Sequence, residues 1–505
     1  MRNIGRIEIF TDVPEINSSN IIEVLRNAFA QHQQNVTKYN FLLNYEAGEQ
    51  PLKRTKKYRS DINCKCVDNI ANEVTEFNLG FKWGHPITLV QRGDSDSVAN
   101  LVRKLNNFYE DQEIRAKQQK LGRFVEICGV GYTYVDINSE DAPFLIESLD
   151  PRFTFVVRSS YYIDRRVMLG VTYRRASNGN NYFTCFTKDR RYEVENTHEV
   201  INGNVVSKNP EKWGQIERSG EENPLGVVPI VEWIRSYDRM GCFERQISEM
   251  DNLNLLISDF TNDVEQNTQC VWHANDTEFP KEVVENEDGN KVETTKSPQS
   301  GQWLVTQTTM DGKTPFVKPL AVDYDYSGML NNIITRRSLI LQKCNVPQRN
   351  DNSGGSTGVA MSDATGWSAA ESSASKQQNI MESCKMQEVA IVLRAIKKSS
   401  MDGVEDLTEL KKTDIQPSIK RQKTYELTVK TNAISTLIAH GFALEDAISV
   451  APLFEDPAQT IIRSRDGVRK YQETSVFGES KQSGNEKRPF ADLSDQENNS
   501  PVIGK

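Results

Sequence analysis

The sequence predicts an α+β fold, and three observations carry it. Residues 238–268 place Phe243, Ile247, Met250, Leu253, Ile257, Phe260 and Val264 at steps of three and four. That is a narrow apolar stripe with a period near 3.5, which a helix aligns on one side. Between 132 and 194 the period changes. Short β-branched or aromatic runs at 132–137, 144–147, 153–157, 168–174, 182–186 and 192–194 are separated by Gly, Pro, Asn and Asp, as in a β meander. Residues 368–398 then return to a long helical pattern, with Ile380, Met381, Met386, Val389, Leu393 and Ile396 on one face.

The remaining elements follow in chain order. Residues 19–30 carry Ile21, Ile22, Val24, Leu25 and Phe29 at helical spacing, and 60–77 read as a second helix. A single helix is expected over 97–128, with Asp94 and Ser95 as caps. Residues 270–318 break into short strand-like pieces around a charged stretch at 281–296. A helix is expected again at 323–344. Two long helices joined by a small lobe suggest a shaft with a tip. After Pro347 comes a polar, glycine-rich loop with nothing to bury. Beyond 400, helical segments are expected at 419–439 and 443–451. From about 475 the chain is polar and reads as a disordered tail.

Composition limits the function. The chain has 505 residues, room for about three domains. Its 61 Lys and Arg against 70 Asp and Glu give a formal net charge of −9. A protein that grips nucleic acid along the backbone is normally basic, so any DNA contact here is local or sliding. No apolar run is long enough to span a membrane and no secretory signal is expected. The eight cysteines read as reduced intracellular thiols.

No catalytic constellation stands out. Gly354-Gly355-Ser356-Thr357-Gly358 fits G-x-S-x-G, but the polar residues 348–352 before it cannot form the buried strand of a nucleophile elbow. Gly312-Lys313-Thr314 lacks the first glycine of a P-loop and is followed by Pro315. Cys64-Lys65-Cys66 is not a metal-ligand set, and the five histidines are isolated, so no metal or cofactor is expected. Glu249, Asp251, Asp259, Asp263 and Glu265 lie on the expected solvated face of the 238–268 helix. The run Lys53, Arg54, Lys56, Lys57 and Arg59 could make a basic contact with nucleic acid or an acidic neighbour, or stay solvated.

The order of several short motifs is specific. Tyr45, Gly48, Gln50 and Pro51 are followed by the basic run, by Asn63-Cys64-Lys65-Cys66-Val67-Asp68-Asn69-Ile70, and by Gly84-His85-Pro86-Ile87. Gly129-Val130-Gly131-Tyr132, Asp150-Pro151-Arg152, Gly226-Val227-Val228-Pro229-Ile230-Val231-Glu232, Asp251-Asn252-Leu253-Asn254 and Val346-Pro347 with Thr357-Gly358-Val359-Ala360 come next. In this order, over about residues 40 to 400, they resemble phage portal proteins of the Bacillus-siphophage type. Asn63-Cys64-Lys65 stands where that family usually has N-N-K, and the last third matches no motif.

The resemblance implies a portal fold: an α/β wing at 1–237, stem helices at 238–268 and 322–344, and a small α/β clip at 269–321. It further implies a tunnel loop at 345–358, a tunnel helix at 359–400, a helical crown at 401–474 and the tail at 475–505. It implies a ring of about twelve subunits at one capsid vertex of the virion, assembled in the host bacterial cytoplasm and not an enzyme. Double-stranded DNA would pass through its channel during packaging and ejection. The terminase large subunit would dock first, then the head-completion adaptor and tail proteins, with major capsid and scaffold proteins around it. The tunnel loop would present Gln348, Arg349, Asn350, Asp351, Asn352 and Ser353 to DNA, with Gly354, Gly355 and Gly358 as its hinge. Another oligomeric neck or head-assembly protein without a DNA channel is the alternative reading.

Overall fold

The computed structural model describes the chain apart from residues 1–4, 55–60, 94, 178, 198–199, 202–203, 206–211, 269–271, 276, 279–280, 286–290, 296–306, 309–315, 320–324, 349–365, 422–426, 443–446 and 449–505. It is a mixed helix-and-sheet structure of two compact units, one of residues 1–89 and 101–422, the other of 90–100 and 423–505. The described part of the second unit holds a short helix at Leu427–Ala439.

The first unit opens with β1 (Ile9–Thr11) and α1 (Ile21–Glu46). α2 (Ile70–Trp83), β2 (Thr88–Gln91), α3 (Asp96–Asp111) and α4 (Ile114–Cys128) follow in the chain, residues 90–100 of β2 and α3 belonging to the second unit. Then come β3 (Val130–Ile137), β4 (Phe144–Leu149), β5 (Thr154–Ser159), β6 (Val167–Arg175), β7 (Asn181–Phe186) and β8 (Arg190–Thr197). Strands β5 to β8 form an antiparallel meander, extended by Lys212–Gln215 on β8, while β1 adds in parallel to β5. Alternate residues of this sheet face α1: Phe155, Val157, Leu169, Val171, Phe183 and Val194 pack on Ile21, Leu25 and Ala28. A smaller sheet pairs Ile230–Ile234 with β3 and β3 with β4.

A fully buried carboxylate joins four elements. Glu126 of α4 accepts from Trp83 Nε1 (3.2 Å), Gln377 Nε2 (2.6 Å) and Arg235 Nε (2.9 Å), and Lys82 Nζ lies 3.7 Å away. Gln377 belongs to the helix Trp367–Lys398, which also buries the pair Lys385–Glu388 at 2.5 Å beneath the Tyr109 ring. Burial alone would raise the Glu126 carboxyl. Lys82, Arg235 and the two neutral donors outweigh it and hold the group at about 2. Burial pulls Lys82 down to about 8 against the pull of Glu126.

The shaft is a pair of helices, α5 (Ile247–Thr268) and α6 (Tyr326–Lys343). α5 has 22 residues, about 33 Å at 1.5 Å per residue. Met250 and Leu253 meet Ile340 and Leu341 at one end, and Phe260 meets Tyr326 edge-on near the other, so the two run antiparallel. Between them lie Trp272–Asn275 paired with Phe316–Pro319, Thr277–Glu278 with Gln307–Thr308, and Lys281–Glu285 with Lys291–Thr295, each antiparallel.

Several expectations are corrected. The helix at 97–128 is two helices, because Glu113 takes a left-handed φ of 55° and the chain turns there. The first helix runs on to Glu46 because Tyr39, Leu42 and Tyr45 face a second core containing α2, α5 and α6. The helix expected over 60–77 starts only at Ile70. The helix at 238–268 begins at Ile247, after a 3-10 turn at Glu244–Gln246. The helix expected over 419–439 begins at Leu427 among the described residues, after a strand at Ile415–Ser418. The described residues of the lobe at 269–321 form short strands, in line with the strand-like pieces expected over 270–318. The tail at 475–505 lies outside the described residues.

Glu126→Gln removes the charge that Lys82 and Arg235 share while both stay buried. We expect a loss of about 3–5 kcal/mol, read as a lowered urea midpoint. The depressed carboxyl sets the sign of the pH effect. Its stabilising share is complete above its ordinary value of 4.5 and disappears as pH falls towards about 2. An acid titration of unfolding should therefore separate parent and variant above that window and bring them together below it.

Candidate functional site

The base of the α5–α6 pair is wrapped by residues 45–54 and 61–69. Tyr45 donates its hydroxyl to Asp251 (2.9 Å), which raises the tyrosine's own pKa on top of the effect of burial. Gln50 Nε2 donates to Tyr45 O and Asn69 Oδ1, and its Oε1 accepts from Asn254 Nδ2 at 2.6 Å. Arg337 of α6 reaches back to Asp68 (2.8 Å) and Glu73 (2.5 Å).

Just before α2, residues 64–68 lie along α5 as an extra strand would lie on a sheet. Asn262 Oδ1 accepts from Cys64 N (2.7 Å) and Asn262 Nδ2 donates to Cys64 O (3.0 Å). Ser258 Oγ accepts from Cys66 N (3.0 Å) and Asn254 Oδ1 accepts from Asp68 N (2.9 Å). The three side chains are buried, and they stand four residues apart on the helix. Four helical residues rise 6.0 Å and two extended residues rise about 6.6 Å. The two periods nearly coincide, so side chains at every fourth helical position serve backbone groups at every second extended one. This explains why 61–69 are not helical: their backbone groups are taken by α5.

The chain leaves α6 through Asn345, at a left-handed φ of 58°, and folds back. Gln348 then brackets Ser338, accepting from its Oγ (2.9 Å) and donating to its carbonyl (3.1 Å). The first expected tunnel-loop residue is thus tied to the shaft. Arg349, Asn350, Asp351, Asn352, Ser353, Gly354, Gly355 and Gly358 lie outside the described residues. Of the basic run, Lys53 is exposed and Arg54 is turned onto α5, where it pairs with Asp259. Lys56, Lys57 and Arg59 lie outside the described residues.

The acidic face of α5 is only partly solvated. Asp251 and Asp259 have partners, and Asn254, Ser258 and Asn262 hold a second buried face that the periodicity reading overlooked. The available signal was their small polar type at steps of four, in a row flanking the apolar stripe. Elsewhere the quoted motifs do local work. Gly129 takes a φ of 77° to end α4, and a Cβ there would stand 2.4 Å from Arg239 O. Arg152 is clamped to Asp150 (2.6 Å), and its carbonyl accepts from Tyr173 OH (2.7 Å). Among the described residues, no three His, Cys, Asp or Glu side chains converge as metal ligands. No described helix is long and apolar enough to cross a membrane.

A family model for phage portal proteins, SPP1 Gp6-like, matches residues 25–473. The chain belongs to this family. The match takes in the wrapped segment, both shaft helices and the strand lobe between them, and it marks the chain as a structural head–tail connector component of a tailed phage. No individual curated protein matched.

Asn254→Ala removes the acceptor for the Asp68 amide and the donor for Gln50. We expect about 1–3 kcal/mol of local destabilisation, seen as faster amide exchange at Cys64, Cys66 and Asp68 and unchanged exchange in the β5–β8 meander.

Proposed function

We propose that this portal-family chain is one subunit of a ring, of about twelve copies, at the unique vertex of the capsid, with the DNA channel on its axis. The observation that carries the proposal is the apolar surface left on the shaft. Leu330 and Ile334, one turn apart on α6, are 48 % and 56 % exposed. Leu339, about half a turn round the helix from Leu330 at 100° per residue, is 47 % exposed, and Val264 on α5 is 41 % exposed. A cyclic ring needs two different sticky sides on each subunit, because each copy meets one neighbour on its left and another on its right. A single helix pair cannot cover both sides itself.

In this reading residues 1–237 are the wing, 238–268 and 322–344 the stem, 269–321 the clip, 345–358 the tunnel loop, 359–400 the tunnel helix and 401–474 the crown. The net charge of −9 suits a conduit, since each phosphate neutralised by a cation adds counterion-release affinity and would slow a sliding duplex. Arg349, beside Asp351, repeated around the ring gives brief phosphate contacts. Gln348, bracketed to Ser338, gives the loop a fixed root. The strand lobe at the far end of the shaft is the docking surface for the terminase large subunit and later for the adaptor and tail proteins, while scaffold and major capsid proteins surround the ring.

Electron microscopy of the purified full-length protein, with mass determination of the particle, tests this. The expected result is a closed ring with a hole wide enough for duplex DNA. A small closed oligomer without a hole, in the presence of scaffold protein, would instead favour a neck or head-assembly component. Leu330→Glu with Ile334→Glu should shift the particle from rings to single subunits. Arg349→Ala with Asp351→Ala should leave rings intact and lower the DNA packaged per capsid.

A further inference from the structure

The sequence holds one chemical motif that the portal reading does not use, Cys64-Lys65-Cys66. The structure gives it a geometry. Both cysteines lie on the segment that α5 holds extended, and alternate residues of an extended chain project to the same face. Their Sγ atoms stand 3.6 Å apart and share a hydrogen bond. Cys64 is exposed and Cys66 half-buried, with Cys66 Sγ 3.6 Å from Thr261 Oγ1. Among the described cysteines the other five, Cys128, Cys185, Cys242, Cys344 and Cys384, are buried or half-buried. No other pair of them shares such a contact in the structure.

We infer that Cys64 and Cys66 form a dithiol modification site, which a small disulfide such as glutathione disulfide converts to an intramolecular 64–66 disulfide. The step balances. One thiolate attacks a sulfur of the small disulfide, a mixed disulfide forms and the first small thiolate leaves. The second cysteine thiolate then attacks the protein-side sulfur of the mixed disulfide and expels the second small thiolate. The cysteines give up two protons and two electrons, and the small disulfide takes up both as it becomes two thiols.

Closure carries a structural consequence. The sulfurs must approach from 3.6 Å to about 2.05 Å. The Cα atoms, roughly 6.6 Å apart in an extended pair, stand at the upper end of the 4.4–6.8 Å that disulfides span, so closure favours drawing them together. The backbone N–H and C=O of Cys64 are held by Asn262 and the N–H of Cys66 by Ser258, at a spacing that the helix sets. The disulfide and the ladder therefore compete, and closure loosens 63–68 from α5. A reducing compartment keeps 63–68 on the α5 ladder, and an oxidising one loosens them. The hydrogen bond with Cys66 and the charge of that thiol, followed by burial and the Glu265 charge, lift the Cys64 thiol above its ordinary value.

The experiment uses the full-length protein as purified, in its assembled state. It is incubated with glutathione disulfide, the free thiols are alkylated, and the peptide spanning 61–69 is weighed. The expected result is a peptide two hydrogens lighter, alkylated on neither cysteine and restored by a dithiol reductant. Amide exchange at Cys64, Cys66 and Asp68 should rise several-fold in the closed form. Cys64→Ser should stop at one glutathione on Cys66. Glutathione retained on the parent pair, disulfides joining two copies, or two alkylated cysteines would each overturn the site. A closed disulfide with unchanged exchange would overturn its competition with the ladder.

Discussion

The buried Glu126 carboxylate is the constraint on which the rest of the first unit depends. An ion without water is tolerated only where several donors replace its hydration at once. Here the donors come from α2, from the chain just after Ile230–Ile234, and from the helix Trp367–Lys398. None of these can move without leaving a charge or a polar group unmatched. α4 is thereby fixed against the smaller sheet, and Lys82, which also donates to Gln377 at 2.7 Å, locks the same helices from the other side. The apolar packing around this centre supplies most of the stability. The carboxylate selects which packing is allowed.

From that fixed centre the shaft is carried outward by a second polar device. The cores of α1 and α2 hold the root of α5 and α6 through Tyr45, Met250, Leu253 and Ile340. Farther along, apolar contact gives way to the ladder of Asn254, Ser258 and Asn262. Its energy is modest for each bond, since a protein hydrogen bond replaces one to water. Its directionality is what matters, because it sets the register of 63–68 on the helix and so places Arg337, Asp68 and Glu73 in reach of one another. In the proposed ring, one face of the shaft would be closed within the chain, and the exposed apolar side chains Val264, Leu330, Ile334 and Leu339 would be left for neighbouring copies.

Much of this was open to reading in the residues. The α5 stripe, the meander and the long helix at Trp367–Lys398 are local periodicities, and local periodicity survives without knowledge of the partners. The break at Glu113 was missed because nothing in residue type marks a left-handed glutamate. The extended 61–69 segment was missed for a different reason. Its apolar pattern fits a helix, and what overrules it lies some two hundred residues away on α5. Arg54 likewise looked like part of a basic patch until Asp259 was placed beside it.

By itself, the sequence determined the α+β class, the order of elements and, through motifs spread over some 350 residues, the family. Those features depend on spacing along the chain, which is written in the residues. Only the tertiary structure decided the ladder on α5, the hub at Glu126, the bracket of Gln348 on Ser338 and the 3.6 Å approach of Cys64 to Cys66. Each of these joins groups whose separation in space is set by packing. Burial, in turn, converts an ordinary Asn, Ser or Glu into a group that must find its partner.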